Sequence, residues 1–278
     1  MPARRGASPR LVPKGHARAA VRHACDVAVA DRDYLLRLTP DRALETLDEA
    51  AEWVLERGLV TLMPASSLPS LFVACHEEPY KEDGRGFGSW PRTKWWWGGA
   101  LEERGLLYTK LLRGTGVFLS DEVASLADPL CREELARAEA GEYGADALRL
   151  VAHLAEAGPS LADELMEELG IARASFRAVR KRLEAVGAVV AKGVRMDASS
   201  GGHRHTSELQ RWDQLYPTPS LHGGLPDLVT AGVRAAVVAP ELEVRTWFSW
   251  RVDAALIERL VEEGRLLRPH PRLLAFSY

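Results

Sequence analysis

Residues 173–212 of the chain read RASFRAVRKRLEAVGAVVAKGVRMDASSGGHRHTSELQRW. Phe176, Val179 and Leu183 recur at three- and four-residue intervals, which predicts a helix with one apolar face. Gly187 is the residue type that most often follows the end of a helix, and a β-branched run comes after it. The Gly- and Ser-rich residues 197–202 then separate two runs with strand composition. This segment therefore predicts a helix followed by a β-hairpin.

Two shorter helices are predicted before this one. Residues 145–157 carry an apolar stripe that ends at Gly158. Ser160 can cap a second helix that extends to Leu169. Helices in this order, followed by a β-hairpin, are typical of a winged helix-turn-helix, and we predict this fold for residues 143–218.

The order of helix, glycine and short strand recurs on both sides of this segment. Before it, Thr39 is predicted to cap a helix whose apolar positions run from Leu44 to Leu55 and which stops at Gly58. The later copy has three helices and a hairpin, near residues 225–238, 241–250, 252–263 and 265–277. The sequence therefore predicts a mainly α fold with small β wings, an α+β chain of tandem winged helix-turn-helix units.

The predicted organisation has five parts, with ordered structure starting near Thr39. The segment between the first two copies is predicted to hold helices near residues 101–112 and 120–140. The parts are a disordered basic arm (1–30), a first winged-helix-like unit (31–78), a Trp-rich insert with connecting helices (79–142), a second winged helix (143–218) and a third winged helix (219–278).

The insert concentrates four of the eight tryptophans within eight residues, Trp90 and Trp95–Trp97, beside Arg92 and Lys94. Aromatic rings next to cations can stack with unpaired bases. Alternate rings of a strand can instead be buried in the core, and this is the interpretation that we favour, with Trp96 as the one ring that could be exposed.

Positive charge is concentrated in two segments of an acidic chain. The formal net charge is −3, yet residues 1–25 hold six basic side chains and no acidic one. Residues 171–211 hold nine basic side chains against three acidic ones. Such islands indicate an anionic partner better than the net charge does. We expect this partner to be double-stranded DNA, intact or damaged.

The predicted helix over 173–186 has a basic face opposite its apolar face. Long cationic side chains at such positions bind phosphates, and arginine can also bind guanine edges. The alternative is an ordinary solvated face. The tips of the second and third hairpins add further basic residues. The candidate DNA-binding residues are Arg173, Arg177, Arg180, Lys181, His203, Arg204, His205, Arg268 and Arg272.

The sequence carries no motif for a metal, a cofactor or a covalent nucleophile. Its three cysteines are at least fifty residues apart, which is typical of a reducing compartment. His203 and His205 lack the further ligands of a metal site. The uncharged residues 58–75 contain prolines and serines that exclude a membrane-spanning helix. We expect a bacterial, cytoplasmic monomer with no metal, cofactor or membrane contact.

The whole layout resembles the AlkZ-type winged-helix DNA glycosylase superfamily, and more closely the shorter AlkZ-related proteins. The most specific part is residues 95–113, which include YTKLLR at 108–113, followed by the second winged helix. The resemblance extends over residues 39–277 and implies a concave basic channel on duplex DNA. It also implies metal-free excision of alkylated bases, in which a Gln-x-Gln or Gln-x-Asp motif positions a water.

The catalytic motif implied by this resemblance is missing. The matching residues are Thr61-Leu62-Met63, and no Gln, Asn, Asp or Glu lies between Gly58 and Cys75. A methyl group and a thioether cannot orient a water as carboxamides can. We therefore predict a DNA-binding protein associated with repair or resistance that has no catalytic residues.

Two alternatives stay open. An active DNA glycosylase could use a different acid, and the candidates are Glu77, Glu78, Glu82 and Asp83 in the following loop. A winged-helix transcriptional regulator would instead prefer one operator sequence over damaged or distorted DNA.

Overall fold

A computed structural model describes residues 31–82, 84–197 and 203–276. The longer helices are α1 (Leu47–Arg57), α4 (Asp121–Glu139), α5 (Ala145–Ala157), α7 (Arg173–Ala185), α9 (Leu225–Ala236) and α11 (Ala254–Glu262). The shorter helices are α2 (Leu71–Ala74), α3 (Trp97–Glu103), α6 (Ala162–Glu168), α8 (Trp212–Leu215) and α10 (Glu241–Val244).

The strands form three-stranded antiparallel sheets that share one topology. In each sheet the last strand lies in the centre and pairs with both earlier ones, in the orders β1-β3-β2, β4-β6-β5 and β7-β9-β8. The first sheet contains β1 (Leu59–Thr61), β2 (Leu107–Leu112) and β3 (Thr115–Leu119). The second contains β4 (Ser160–Leu161), β5 (Val189–Asp197) and β6 (His203–Arg211). The third contains β7 (Val238–Pro240), β8 (Leu266–His270) and β9 (Leu273–Phe276).

The segment YTKLLR at 108–113 is a strand, so the prediction of a helix there was wrong. Leu107 pairs with Leu119 and Tyr108 with Phe118, which gives the apolar and aromatic side chains partners across the strands. Gly114, with a φ of 88°, makes the turn. Since β1 also pairs with β3, the first sheet takes two of its strands from the segment predicted as an insert.

The first helices also begin elsewhere than predicted. Residues 31–35 are helical, so the described structure starts before Thr39. Thr39 makes no capping hydrogen bond and precedes a short 3-10 turn at Pro40–Arg42. The cap of α1 is Thr46, whose side chain accepts a hydrogen bond from the Glu49 N–H. The predicted basic arm, residues 1–30, lies outside the described residues.

The tryptophan run does not form a strand, which corrects the favoured interpretation. Trp97 begins α3 and is buried, whereas Trp95 and Trp96 are 40% and 48% exposed. Trp95 and Trp96 lie in the turn that leads into α3, so the three adjacent rings do not alternate between two faces as they would on a strand.

The second sheet and its helices follow the prediction closely. Both α5 and α7 occupy the predicted ranges, and the hairpin of β5 and β6 pairs Val189 with Arg211 and Asp197 with His203. Ser160 is not a helix cap, because it lies in β4 and its hydroxyl donates to the Gly158 carbonyl. In the last part of the chain, α10 spans four residues rather than the predicted ten.

The long helix α4 connects the sheets. Its buried Asp128 accepts hydrogen bonds from the Trp212 indole N–H at 2.8 Å and from the Ser220 N–H at 2.7 Å. The Arg132 guanidinium, one turn further on, pairs with the same carboxylate. One cluster of buried side chains combines residues of β3, α4 and α9, including Leu119, Val123 and Val233. Packing across α4 therefore holds the first and third sheets together.

Candidate nucleic-acid interface

Helix α7 presents a row of cations to solvent. Phe176 and Leu183 anchor its opposite face in the core. Arg173, Arg177 and Lys181 are exposed and follow one another at four-residue intervals. A rise of 1.5 Å per residue separates them by about 6 Å along the helix axis. We call these three residues the α7 stripe.

In the part of the chain that the structure describes, the α7 stripe lies apart from carboxylates. Within residues 31–82, 84–197 and 203–276, none of the three side chains has an ion-pair partner within 4.0 Å. Unpaired cations at this spacing on one helix face are the arrangement that contacts successive phosphates.

The structure places Arg180 differently from its neighbour Lys181. The Arg180 Nε donates to a Glu184 carboxylate oxygen at 2.6 Å, and Lys110 of β2 donates to the other oxygen at 2.5 Å. Glu184 is 3% exposed. A buried carboxylate needs such partners, so Arg180 and Lys110 join α7 to β2 rather than project into solvent.

The hairpin of β5 and β6 follows α7 in the chain and contains nine residue pairs. His205 and Lys192 are exposed on it. The backbone of Arg204 pairs with Met196. The side chains of His203 and Arg204, and the tip at 198–202, lie outside the described part of the chain.

The third hairpin offers less free positive charge than its sequence indicates. Arg268 pairs with Glu258 at 2.8 Å and with Glu241 at 3.0 Å. The hydrogen bond from Arg268 holds the pKa of Glu258 below its ordinary value, so the carboxylate stays charged and offsets the guanidinium. Arg272 is exposed at the turn between β8 and β9.

The residues expected to match the glycosylase motif are packed into the protein and offer no carboxylate or carboxamide. Thr61 is completely buried and its hydroxyl donates to the Pro69 carbonyl at 3.0 Å. Leu62 is also buried, and Met63 is half-buried.

Among the loop acids, Glu77 has a structural role. Its carboxylate accepts hydrogen bonds from the Thr93 N–H and hydroxyl at 2.8 and 2.6 Å, and from the Lys94 N–H at 3.1 Å. Burial raises the pKa of Glu77, but these bonds outweigh burial and hold the pKa below its ordinary value. An acid kept ionised in this way fixes a turn and is a poor proton donor. Glu78 and Glu82 are exposed, and Asp83 lies outside the described residues.

Glu102 is an acid that the sequence analysis did not select. It lies on α3 and borders two cavities, of about 210 and 150 Å³, together with Tyr108 of β2. Burial raises the pKa of Glu102 to about 7. The one local signal for it was the Gly98-Gly99 pair just before it, since paired glycines inside a helix often mark a close approach.

No cluster of His, Cys, Asp and Glu side chains could hold a metal ion among the residues that the structure describes. No helix in that part of the chain is long and apolar enough to cross a bilayer.

Comparison with known proteins gives one family. A model of the family described as AlkZ related matches residues 44–216, which begin just before α1 and end just after α8. The matched range therefore contains the first two sheets, α7 and both cavities. No curated protein and no solved structure matches the chain.

Proposed function

The chain belongs to the AlkZ-related family, and we propose that it binds double-stranded DNA through α7 without excising bases. The observation that carries this proposal is the α7 stripe. Among the described residues, these three exposed cations at four-residue intervals have no acidic partner, whereas Arg180 and Arg268 are each paired with a carboxylate. We place its role in DNA repair or resistance, as an accessory binding protein.

The proposal includes a tandem winged-helix architecture. Its support is the strand order shared by the three sheets, with the last strand at the centre of each. In the second sheet, α7 directly precedes the hairpin of β5 and β6, which is where a recognition helix precedes its wing. We propose the same parts as above with one change: the hairpin of β2 and β3, which lies in the segment 79–142, supplies the wing of the first unit.

The proposed contacts divide into two kinds. Arg173, Arg177 and Lys181 bind phosphates or base edges directly. Arg180 is a positioning residue that keeps α7 against β2. The hairpins contact the DNA backbone through His203, Arg204, His205 and Arg272. Arg268 contributes little, because two carboxylates already neutralise it.

A salt series on undamaged and alkylated duplexes tests this function. Each phosphate contact adds about 0.9 to the slope of log affinity against log salt, so the double variant Arg177→Ala/Lys181→Ala should lower the slope by about 2. Arg234→Ala/Arg259→Ala is the matched control, because it removes the same charge from exposed positions on α9 and α11. An equal decrease of this slope in both double variants would refute DNA contact through α7.

Alkaline treatment of the bound alkylated duplex distinguishes the second candidate, an active glycosylase. Strand breaks would reveal abasic sites and show that an acid outside the missing motif works. The acid that the structure favours for this is Glu102, because it borders cavities and is half-buried. Glu77 is disfavoured by the hydrogen bonds that hold it ionised.

A further inference from the structure

Four large aromatic side chains are exposed within one short segment of the chain. Tyr80, Phe87, Trp95 and Trp96 are between 40% and 49% exposed. We call these four residues the aromatic patch. Burial of an aromatic ring is favourable, so a group of exposed rings commonly marks a binding surface. The duplex contact proposed above does not use this surface.

Ring contacts join the patch to the core. Phe87 lies at its centre, with ring-centroid distances of 5.6 Å to Tyr80 and 5.4 Å to Trp95. Phe87 also contacts Trp90 at 5.0 Å, and Trp90 contacts the buried Phe72 at 5.3 Å. The planes of the first two pairs differ by 64° and 67°, so these rings are not stacked on one another.

Backbone contacts fix the loop that carries the patch. The Tyr80 N–H donates to the Trp90 carbonyl at 2.7 Å, and the Lys81 N–H donates to the Gly88 carbonyl at 2.9 Å. A Cβ atom at Gly84 would lie 2.4 Å from the Gly88 backbone, so glycine permits this close crossing. The rings are therefore held in one arrangement before any partner binds, which lowers the entropic cost of binding.

The same segment holds cations that have no carboxylate partner. Lys81, Arg85 and Arg92 are exposed, and none has an ion-pair partner within 4.0 Å in the described ranges 31–82, 84–197 and 203–276. Glu78 and Glu82 are also exposed, so the surface carries both signs of charge. Its cations can bind a few phosphates, but the rings must supply most of the affinity.

We propose that the aromatic patch binds single-stranded DNA. Unpaired bases stack on Tyr80, Trp95 and Trp96, and Arg85 and Arg92 bind the adjoining phosphates. In a duplex the bases cover each other's faces, so a ring can stack only on a base that is unpaired. This inference goes beyond the proposed duplex contact, because it uses another surface and another form of DNA.

Fluorescence anisotropy of a labelled oligonucleotide of about twelve thymidines tests the proposal on the full chain. The comparison probe is an abasic oligomer of the same length, which keeps the phosphates and lacks the bases. We expect the thymidine oligomer to bind about tenfold more tightly, because stacking requires a base. Equal affinities for the two oligomers would overturn the proposal.

Substitutions locate the binding on the patch. Trp96→Ala should weaken binding of the thymidine oligomer about fivefold or more. Trp96 makes no aromatic ring contact among the described residues, so thermal unfolding should show an intact fold. Tyr80→Ala, a second variant, should also weaken binding, whereas Tyr34→Ala removes a ring that is 53% exposed outside the patch and should have no effect. Unchanged affinity in both patch variants would refute the assignment.

Two further measurements separate this proposal from its alternatives. The variant Arg177→Ala/Lys181→Ala should lose affinity for duplex DNA and keep the preference for the thymidine over the abasic oligomer, so the two proposals can fail independently. Tighter binding of a uridine RNA oligomer would overturn the choice of DNA. Self-association that Trp96→Ala abolishes, with no oligonucleotide binding, would show that a second copy of the chain covers the patch instead.

Discussion

Replacing Arg180 should change the stability of the fold, whereas replacing its neighbour Lys181 on α7 should change DNA binding. Arg180 pairs with Glu184, which is 3% exposed, whereas Lys181 has no ion-pair partner among the described residues. Arg180→Ala removes one of the two charged partners of a buried carboxylate. Lys181→Ala removes a solvated charge.

The structure sets the size of the expected difference. A hydrogen bond to a charged group contributes about 1.5–3 kcal/mol. Lys110 still neutralises Glu184 in the Arg180→Ala variant, and the Arg180 side chain is 22% exposed, so we expect a loss of about 2 kcal/mol in the free energy of unfolding. Lys181→Ala should stay within about 0.5 kcal/mol of the parent protein.

Urea unfolding and DNA binding at several salt concentrations together measure both effects. Lys181→Ala should lower the salt slope by about 0.9, and Arg180→Ala should leave it almost unchanged once the protein is folded. The double variant Arg180→Ala/Glu184→Gln is a further control, since it replaces the carboxylate that has lost one of its two charged partners and should recover part of the lost stability. If Arg180→Ala is as stable as the parent, or if both variants lower the slope equally, the division of roles on α7 is wrong.

Three more predictions concern stability. Asp128→Ala should lower the free energy of unfolding in urea by about 3–5 kcal/mol, because the buried Trp212 indole and the Arg132 guanidinium both lose the Asp128 carboxylate. A loss under about 1 kcal/mol would contradict this account. Gly187→Ala should destabilise the protein more than Gly264→Ala, although both glycines have a φ of 71°. A Cβ atom at Gly187 would lie 2.4 Å from the Cys131 sulfur, whereas one at Gly264 would meet open space. Thermal unfolding of the two variants measures the difference, and equal losses of stability would show that φ alone matters. Because folding lowers the pKa of Glu77, its carboxylate should stabilise the fold at a pH above its pKa in the unfolded chain, and this contribution is lost as the pH falls through its pKa in the folded protein. Glu77→Gln should therefore reduce the loss of stability in acid. Urea unfolding at several pH values would show this, and an unchanged dependence of stability on pH would count against it.

The sequence predicted those parts of the fold whose signals are local. The apolar periodicity of α7 and the glycine after it gave the helix its range and its exposed basic face. The same signals gave α5 and the hairpin of β5 and β6. Local periodicity is reliable here because burial of one face is the main determinant of each of these elements.

Elements that depend on distant partners were predicted less well. The residues 108–113 have the composition of either a helix or a strand, and pairing with β3 makes them a strand. Thr39 and Ser160 both look like caps, yet the chain places one before a 3-10 turn and the other in β4. Tertiary contacts outweighed the small local preferences at each of these positions.

The sequence by itself determined the family and predicted the row of cations on α7. The tertiary structure decided which charges are free. Arg180 and Lys181 are adjacent and chemically similar, but Arg180 and Lys110 share the buried Glu184, although Lys110 and Glu184 are 74 residues apart in the chain. Glu102 gained its raised pKa in the same way, from burial beside β2 and β5. A charge acquires its function from its solvation and its partners, and both are set by segments that only folding brings together.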